Sequence, residues 1–537
     1  MAIRMNRSFV RGAHQCGCGA MITLWLTVAL CVVIHWLYQV NKDYYILAFF
    51  SRRVYTRDDR PVESLVPSPK GRTIFAHCFD LYGKDNAGVF KFTRDLSKTL
   101  GKSYVRYVVG MPIYNVIDAE TAEMILTDQK SLIGKGCVYN FLHPALKTGL
   151  LTSQGDKWHA RRRMLTPTFH FNILGQFQEI FQAESLKFVQ QFQSQDENIV
   201  SLSELIPRFT LNTICETAMG VKLDEMADKG DRYRESFHMI EKSFVRRLSN
   251  PFLRSTTIYN LFVAKEYAPF LKVVHDFSSE IIAKRRILLE EELEHRRSTQ
   301  TADDDIFVSR HKRFAMLDTL ICAEKDGMID HAGICEEVDT LMFEGYDVSS
   351  ITLIFTLMNM SLYPDKQELC FKEIQEHIED DFSNLDINQM SKLKYLEYFI
   401  KETMRLFPPI PLMGRQAVQE TELANGLILP SGTQIHIHTF DIHRNPKHWD
   451  SPNEFRPERF LPENSQNRSV YAYIPFSAGQ RNCIAQKFAM QEMKTLMTVI
   501  LKKFEIQPLV DPNSIVFHVG ITLRIKNHIR VKLVRRM

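Results

Sequence analysis

The chain of 537 residues has little cysteine, ten in all, and only four tryptophans. The cysteines stand at 16, 18, 31, 78, 137, 215, 322, 335, 370 and 483, with no CxxC pair among them. That spacing excludes zinc ribbons, iron–sulfur clusters and a disulfide framework. Reduced thiols on the cytosolic side fit better. Charge of one sign is also scarce. Sixty-seven Lys and Arg against 63 Asp and Glu leave +4, too little for a nucleic-acid binder by bulk charge. Disorder and collagen are excluded by an ordinary composition, 45% hydrophobic and 24% charged. Internal repeats and a clean interior linker are missing too. Length alone predicts about three or four domains; the missing linker argues for one large one.

Long apolar runs are likewise missing, with a single exception. Residues 20–37 are apolar apart from Thr23, Thr27 and His35. As a helix the run reaches about 27 Å, close to the hydrocarbon thickness. No small-x-small cleavage pattern follows it, and Trp36 and Tyr38 suit an interfacial belt. The reading is a short tail over 1–19 and an uncleaved membrane anchor helix over 20–40. A linker over 41–71 follows, hinged at Pro61, Pro67, Pro69 and Gly71, and leads to one large domain over 72–537. Charge does not orient the anchor: Arg4, Arg7 and Arg11 precede it, and Lys42, Arg52, Arg53 and Arg57 follow. The rival is an Arg-rich, acid-poor mitochondrial transit peptide, against which the continuous apolar run argues.

Helical periodicity dominates from about residue 150. Residues 284–313 are heavily charged and read as a solvated helix end and loop. Residues 333–363 read as a long apolar helix with a polar interruption at 344–350. Strand-like alternation comes late, at 434–438, 522–525 and 529–533. The expected fold is mainly α with small β-sheets.

Cys483 carries the chemistry. It lies in Tyr-Ile-Pro-Phe-Ser-Ala-Gly-Gln-Arg-Asn-Cys-Ile-Ala at 473–485 and opens a helix-like run over 484–501. A helix N-terminus offers free N–H donors and favours thiolate over thiol. Gly479 permits a tight turn. A single such sulfur suits a metal whose other ligands come from a macrocycle.

This stretch resembles the haem-binding signature F-x-x-G-x-R-x-C of cytochromes P450. The resemblance makes Cys483 the axial iron ligand, Phe476 part of the haem-binding loop and Arg481 a haem-propionate contact. Other motifs follow in the family's order. Glu402-Thr403-Met404-Arg405 resembles the ExxR helix, and Phe455-Arg456-Pro457-Glu458-Arg459-Phe460 the PERF segment. The implied triad Glu402, Arg405 and Arg459 locks the scaffold without doing chemistry. Trp158-His159-Ala160-Arg161-Arg162 matches WxxxR, which makes Trp158 and Arg162 propionate ligands; Arg415 resembles a third. Lys157, Arg161, Arg163 and Lys487 form either a solvated face or a basic patch for an acidic electron donor.

The long helix resembles the distal wall. Gly345 would leave room for dioxygen over the iron, while Asp347 and Ser349 would deliver protons. Residues 342–347 and 471–479 are similar to family four, the fatty-acid ω-hydroxylase branch and its insect relatives. There the glutamate at the Glu344 position can form an ester with a haem methyl. This sequence departs from the pattern at three places. Val348 replaces the threonine whose hydroxyl assists oxygen activation; valine cannot hydrogen-bond. Ala485 replaces a glycine, and Gln480 stands where proline is frequent.

The resemblance implies a haem b monooxygenase of the endoplasmic reticulum membrane, its catalytic domain cytosolic. NADPH–cytochrome P450 reductase would supply electrons, with cytochrome b5 as an auxiliary donor. The substrate would be hydrophobic: a fatty acid, hormone or xenobiotic. The rivals are a haem-thiolate isomerase or dehydratase acting on lipid peroxides, slightly favoured by Val348, and a non-catalytic haem or lipid binder.

Overall fold

The computed structural model describes residues 23–35, 53–58, 60–69, 77–108, 111–194, 197–223, 226–299, 315–383, 385–509 and 511–536. The anchor expectation falls partly inside this set. Helix α1 (Thr23–His35) carries exposed Leu24, Trp25, Leu26 and Leu30. The rest of the expected anchor, the tail over 1–19 and residues 41–52, 59, 70 and 71 of the linker lie outside the described residues.

The fold is mainly helical, with small sheets. The helices that frame the site are α2 (Gly155–Leu165), α3 (Leu202–Thr217), α4 (Ala227–Ser249), α5 (His331–Leu362), α6 (Lys394–Leu406) and α7 (Gln486–Lys503). Helix α5, 32 residues long, starts where the Asp330 carboxylate caps the Gly333 amide and ends at Leu362, two residues before Pro364. Its length and apolarity would suit a membrane span, but most of it is buried within the protein. Two apolar clusters surround it. One takes Val338 to Tyr346, the other Ile351 to Met360. The polar stretch 347–350 sits between them, so the break in apolarity marks where the site is built.

A four-stranded sheet has the order β1 (Tyr104–Val108), β2 (Met111–Val116), β4 (Gln434–Ile437), β3 (Met413–Gln416). β2 and β4 run parallel, with Ile113 opposite Gln434; the other two pairings are antiparallel. A hairpin pairs Phe517–Val519 with Leu523–Ile525, and Arg530–Arg535 joins a separate three-stranded sheet. Late strands therefore occur where alternation placed them. The charged stretch begins as the end of helix Ala264–Thr299, and 300–314 lie outside the described residues.

Helix α6 shows why the ExxR spacing matters. Glu402 and Arg405, both with no solvent exposure, pair bidentately at 2.7 and 2.8 Å. The remaining Arg405 donors go to the carbonyls of His443, Pro452 and Glu454. All five guanidinium N–H groups are thereby satisfied. Arg459 adds a bond to Glu402 at 3.3 Å. The helix is pinned to the segment that leads to Cys483.

Candidate active site

A largely apolar cavity of about 340 Å³ lies between α5 and the Cys483 loop. Cys483, Glu344, Gly345, Val348, Ser349 and Phe476 line it, as do Trp158, Arg162, Arg415 and Arg481. Leu142, Phe244 and Ile410 line it as well.

The loop is shaped by backbone chemistry. Gly479 has φ +71°, and a Cβ there would collide with the Leu126 carbonyl oxygen. Only glycine fits. The Cys483 amide donates to the Phe476 carbonyl at 2.9 Å, which closes the loop three residues ahead of α7. The sulfur is solvent-accessible yet deep among protein atoms, because its open surface faces the cavity. Burial, with Glu344 nearby, pushes its thiol up to about 11, against the Ala485 amide and Arg162. Desolvation thus opposes the helix N-terminal donors. A coordinated metal ion reverses that balance.

Four cations ring the cavity. Arg162 donates to the Asn482 carbonyl and side-chain oxygens at 2.8 and 2.7 Å. Arg481 lies over the Trp158 ring, 4.4 Å from its centroid, and donates to the Ser153 carbonyl. Arg415 reaches the Gly414 carbonyl and the Ser477 hydroxyl. Lys135, absent from the sequence reading, is buried with its ammonium over Tyr139. Burial and the neighbouring arginines press that ammonium well below the usual lysine range. None of the four forms an ion pair with a carboxylate among the described residues. Glu344 faces the same space. Burial lifts its carboxyl to about 7, against Lys135, Arg481 and Arg162. A flat ligand bearing two carboxylates fits this excess of positive charge.

The distal side differs from expectation. Asp347 does not line the cavity. Its carboxylate accepts from Arg524 at 2.6 Å and from Thr522 at 2.9 Å, and Arg524 also holds Glu241 at 2.7 Å. Burial lifts Asp347 to about 6 against the pull of Arg524, and Glu241 adds to the lift. These bonds tie α5 to α4 and the C-terminal hairpin. Gly345 lines the cavity, but a Cβ there would meet Ile214 at 2.6 Å, so its smallness serves the packing of α3 on α5. The basic patch also shrinks. Lys157 pairs with Glu336 and Arg161 with Glu337, while Arg163 and Lys487 stay exposed.

A sequence model of the family described as Cytochrome P450 matches residues 66–531. The chain belongs to the cytochrome P450 family. It is 67% identical to cytochrome P450 4p1 of Drosophila melanogaster, over 96% of this chain and 100% of that one. It is 44% identical to the probable cytochrome P450 4ac1 of the same species, over 96% and 99%. The human cytochrome P450 4V2 is 36% identical over 80% of this chain and 82% of its own length. The likeness to family four expected from residues 342–347 and 471–479 therefore holds along most of the chain. As a P450, it is a haem-thiolate monooxygenase that takes electrons from a redox partner and acts on a hydrophobic substrate.

Proposed function

We propose that Cys483 is the axial ligand of haem b and that Trp158, Arg162, Arg415, Arg481 and Lys135 receive the propionates. The carrying observation is the convergence on one cavity of a cysteine whose open surface faces that cavity and four cations without a carboxylate partner among the described residues. When bound, haem supplies the oxygen chemistry: dioxygen, two electrons and two protons yield one oxygen atom in the substrate and one water. Cys483 lends electron density from below, and Phe476 and Gly479 hold its loop in place. Ser349 lines the cavity with a hydroxyl, whereas Val348 has none. Glu344 lines the same cavity without an ion-pair partner among the described residues, and would be the acid that forms an ester to a haem methyl. Acid extraction that released unmodified haem would exclude that bond.

The proposed substrate is a long-chain acid. Arg106 and Arg254 also line the cavity, beside His436. Arg106 pairs with Asp80 at 2.9 Å, whereas Arg254 donates only to the Leu248 carbonyl. Burial and their two charges depress His436 to about 3, so it stays neutral. This excess cation suits an anionic head group, with the apolar tail directed toward Cys483.

The proposed setting is the endoplasmic reticulum membrane, with residues 20–40 as anchor, 41–71 as hinged linker and 72–537 as the cytosolic catalytic domain. Support comes from the exposed apolar face of α1 and from exposed Leu261 and Phe262. His35 of α1 lies 3.2 Å from the Thr257 hydroxyl, on the short helix that carries those two residues. NADPH–cytochrome P450 reductase is the proposed donor, with cytochrome b5 as auxiliary. Val348 favours a second reading, a lipid-peroxide isomerase that needs no distal hydroxyl. Product formation from a long-chain acid that requires both NADPH and reductase supports the first; turnover with a hydroperoxide alone supports the second.

A further inference from the structure

Behind the cavity wall, one histidine meets two acceptors at once. His275, on helix Ala264–Thr299, is half-buried. Its Nδ1 lies 3.0 Å from the Asp339 carboxylate of α5, and its Nε2 lies 3.1 Å from the Pro144 carbonyl. Carboxylate and carbonyl oxygens only accept, so both ring nitrogens must carry hydrogen and the ring is an imidazolium. Asp339 needs that cation. It has no solvent exposure, its second oxygen has no hydrogen-bond partner among the described residues, and Lys147 stands 4.0 Å away. The contact joins helix Ala264–Thr299, α5 and the segment 142–151, whose Leu142, Leu150 and Leu151 line the cavity. That segment is held at two ends. Its later part is fastened to α5 whatever the state of His275: Thr148 donates to Glu336 at 2.8 Å and the Leu150 amide to Glu337 at 3.0 Å. Gly149 sits so close to α5 that a Cβ would collide with Thr340 and the Glu336 carbonyl. The earlier part meets His275 through Pro144. Between the two lies Lys147, a non-glycine residue at φ +46°, a conformation that persists only where its surroundings enforce it.

We propose that His275 is a pH-operated clamp on the cavity wall, holding residues 142–147 closed as a cation and releasing them as a neutral ring. A neutral imidazole keeps one N–H. The buried carboxylate is the stronger acceptor and retains it, so the bond to the Pro144 carbonyl is the one lost. The segment then turns about Lys147 and draws Leu142 away from the cavity. The bond to Asp339 holds the imidazolium above the ordinary histidine value of 6.5, against burial and Lys147. The clamp is therefore complete below that ordinary value and is lost as pH rises through the higher, folded one. The other groups around the pair are Cys335 on α5 and Tyr233 on α4. Burial raises both above their ordinary values, so neither ionises first. On the histidine's own helix, Lys272 and Asp276 pair with each other. The clamp governs access to the cavity and is independent of the chemistry at Cys483.

The test is hydrogen exchange on the haem-loaded full chain, corrected for intrinsic rates and followed from about pH 6 to about pH 9. In wild type the amides of 145–147 should lose at least about tenfold in protection over that window, the size of one charge-assisted hydrogen bond. Those of 149–152, fastened to α5, should stay unchanged. His275→Phe keeps a ring but donates nothing, and should show the low protection at every pH. Asp339→Asn removes the charge that favours the imidazolium, and should move the loss to lower pH. Carbon monoxide should reach the reduced haem faster in wild type as pH rises, and equally fast at every pH in His275→Phe. Wild-type protection that is flat with pH, a His275→Phe curve parallel to wild type, an Asp339→Asn curve that does not move, or carbon monoxide binding indifferent to pH would each overturn the proposal. The wild-type and Asp339→Asn curves decide the matter even where His275→Phe fails to fold.

Discussion

Arg524 donates to Asp347 at 2.6 Å, across 177 residues of sequence. The same guanidinium holds Glu241, so one cation serves two buried carboxylates. Removing it strands both. Arg524→Gln should cost about 3–5 kcal/mol, and the loss should grow with pH. Asp347 already sits above its ordinary value, at about 6. A carboxyl raised in the folded state stabilises while protonated and loses that contribution as pH rises through its folded value. Thermal unfolding across pH 5 to 8 checks this. A variant whose deficit is flat with pH would contradict it.

Glu492 gives a second pH signature of the same sign. Its folded value of about 8 lies above the ordinary 4.5. Its contribution is therefore fully present below about pH 4.5 and is lost as pH rises toward 8. Glu492→Gln cannot ionise, so its unfolding temperature should fall less than that of wild type over that window. Parallel curves would show that the carboxyl has no raised value.

The buried Glu402–Arg405 pair makes an asymmetric prediction. Glu402→Ala alone leaves Arg405 buried without its partner and should cost about 3–5 kcal/mol. Replacing both residues by apolar ones of similar volume should cost less than the sum of the single changes. Chemical denaturation of the haem-loaded protein measures the difference, and additive losses would count against it.

Much of this was legible in the sequence, and the reason is motif spacing. Trp158, Arg162, Arg415, Phe476, Arg481 and Cys483 line one cavity, as their motifs implied. The helix spacing of Glu402 and Arg405 placed both on one face. What was not legible depends on long-range partners. Nothing near Asp347 in the chain announces Arg524 or Thr522. Nothing local marks Lys135 and Arg106 as buried, because what covers them comes from distant strands and helices. Glu492 lies in a helix with lysines at Lys487 and Lys494, where a glutamate looks solvated until α5 covers it.

Val348 lines the cavity with no hydroxyl to offer. Val348→Thr should raise product formed per NADPH, because a second distal hydroxyl joins Ser349. The volumes are nearly equal, but the added hydroxyl enters an apolar lining, so stability should fall unless it bonds back to a helix carbonyl. An unchanged product-to-NADPH ratio would show that position 348 does not limit proton delivery.

Arg254→Gln should weaken binding of a long-chain acid by about tenfold, the size of a lost charge-assisted hydrogen bond, and leave its methyl ester unaffected. Spectral titration of the haem-loaded protein reads both. Equal affinities for the acid in the two proteins would remove Arg254 from head-group recognition.

The most direct measurement concerns Cys483. Wild-type protein, reduced and treated with carbon monoxide, should give the absorption signature of a thiolate-ligated haem. Cys483→Ser should lose that signature, together with most bound haem. If the serine variant incorporates haem and gives an unaltered spectrum, Cys483 is not the ligand.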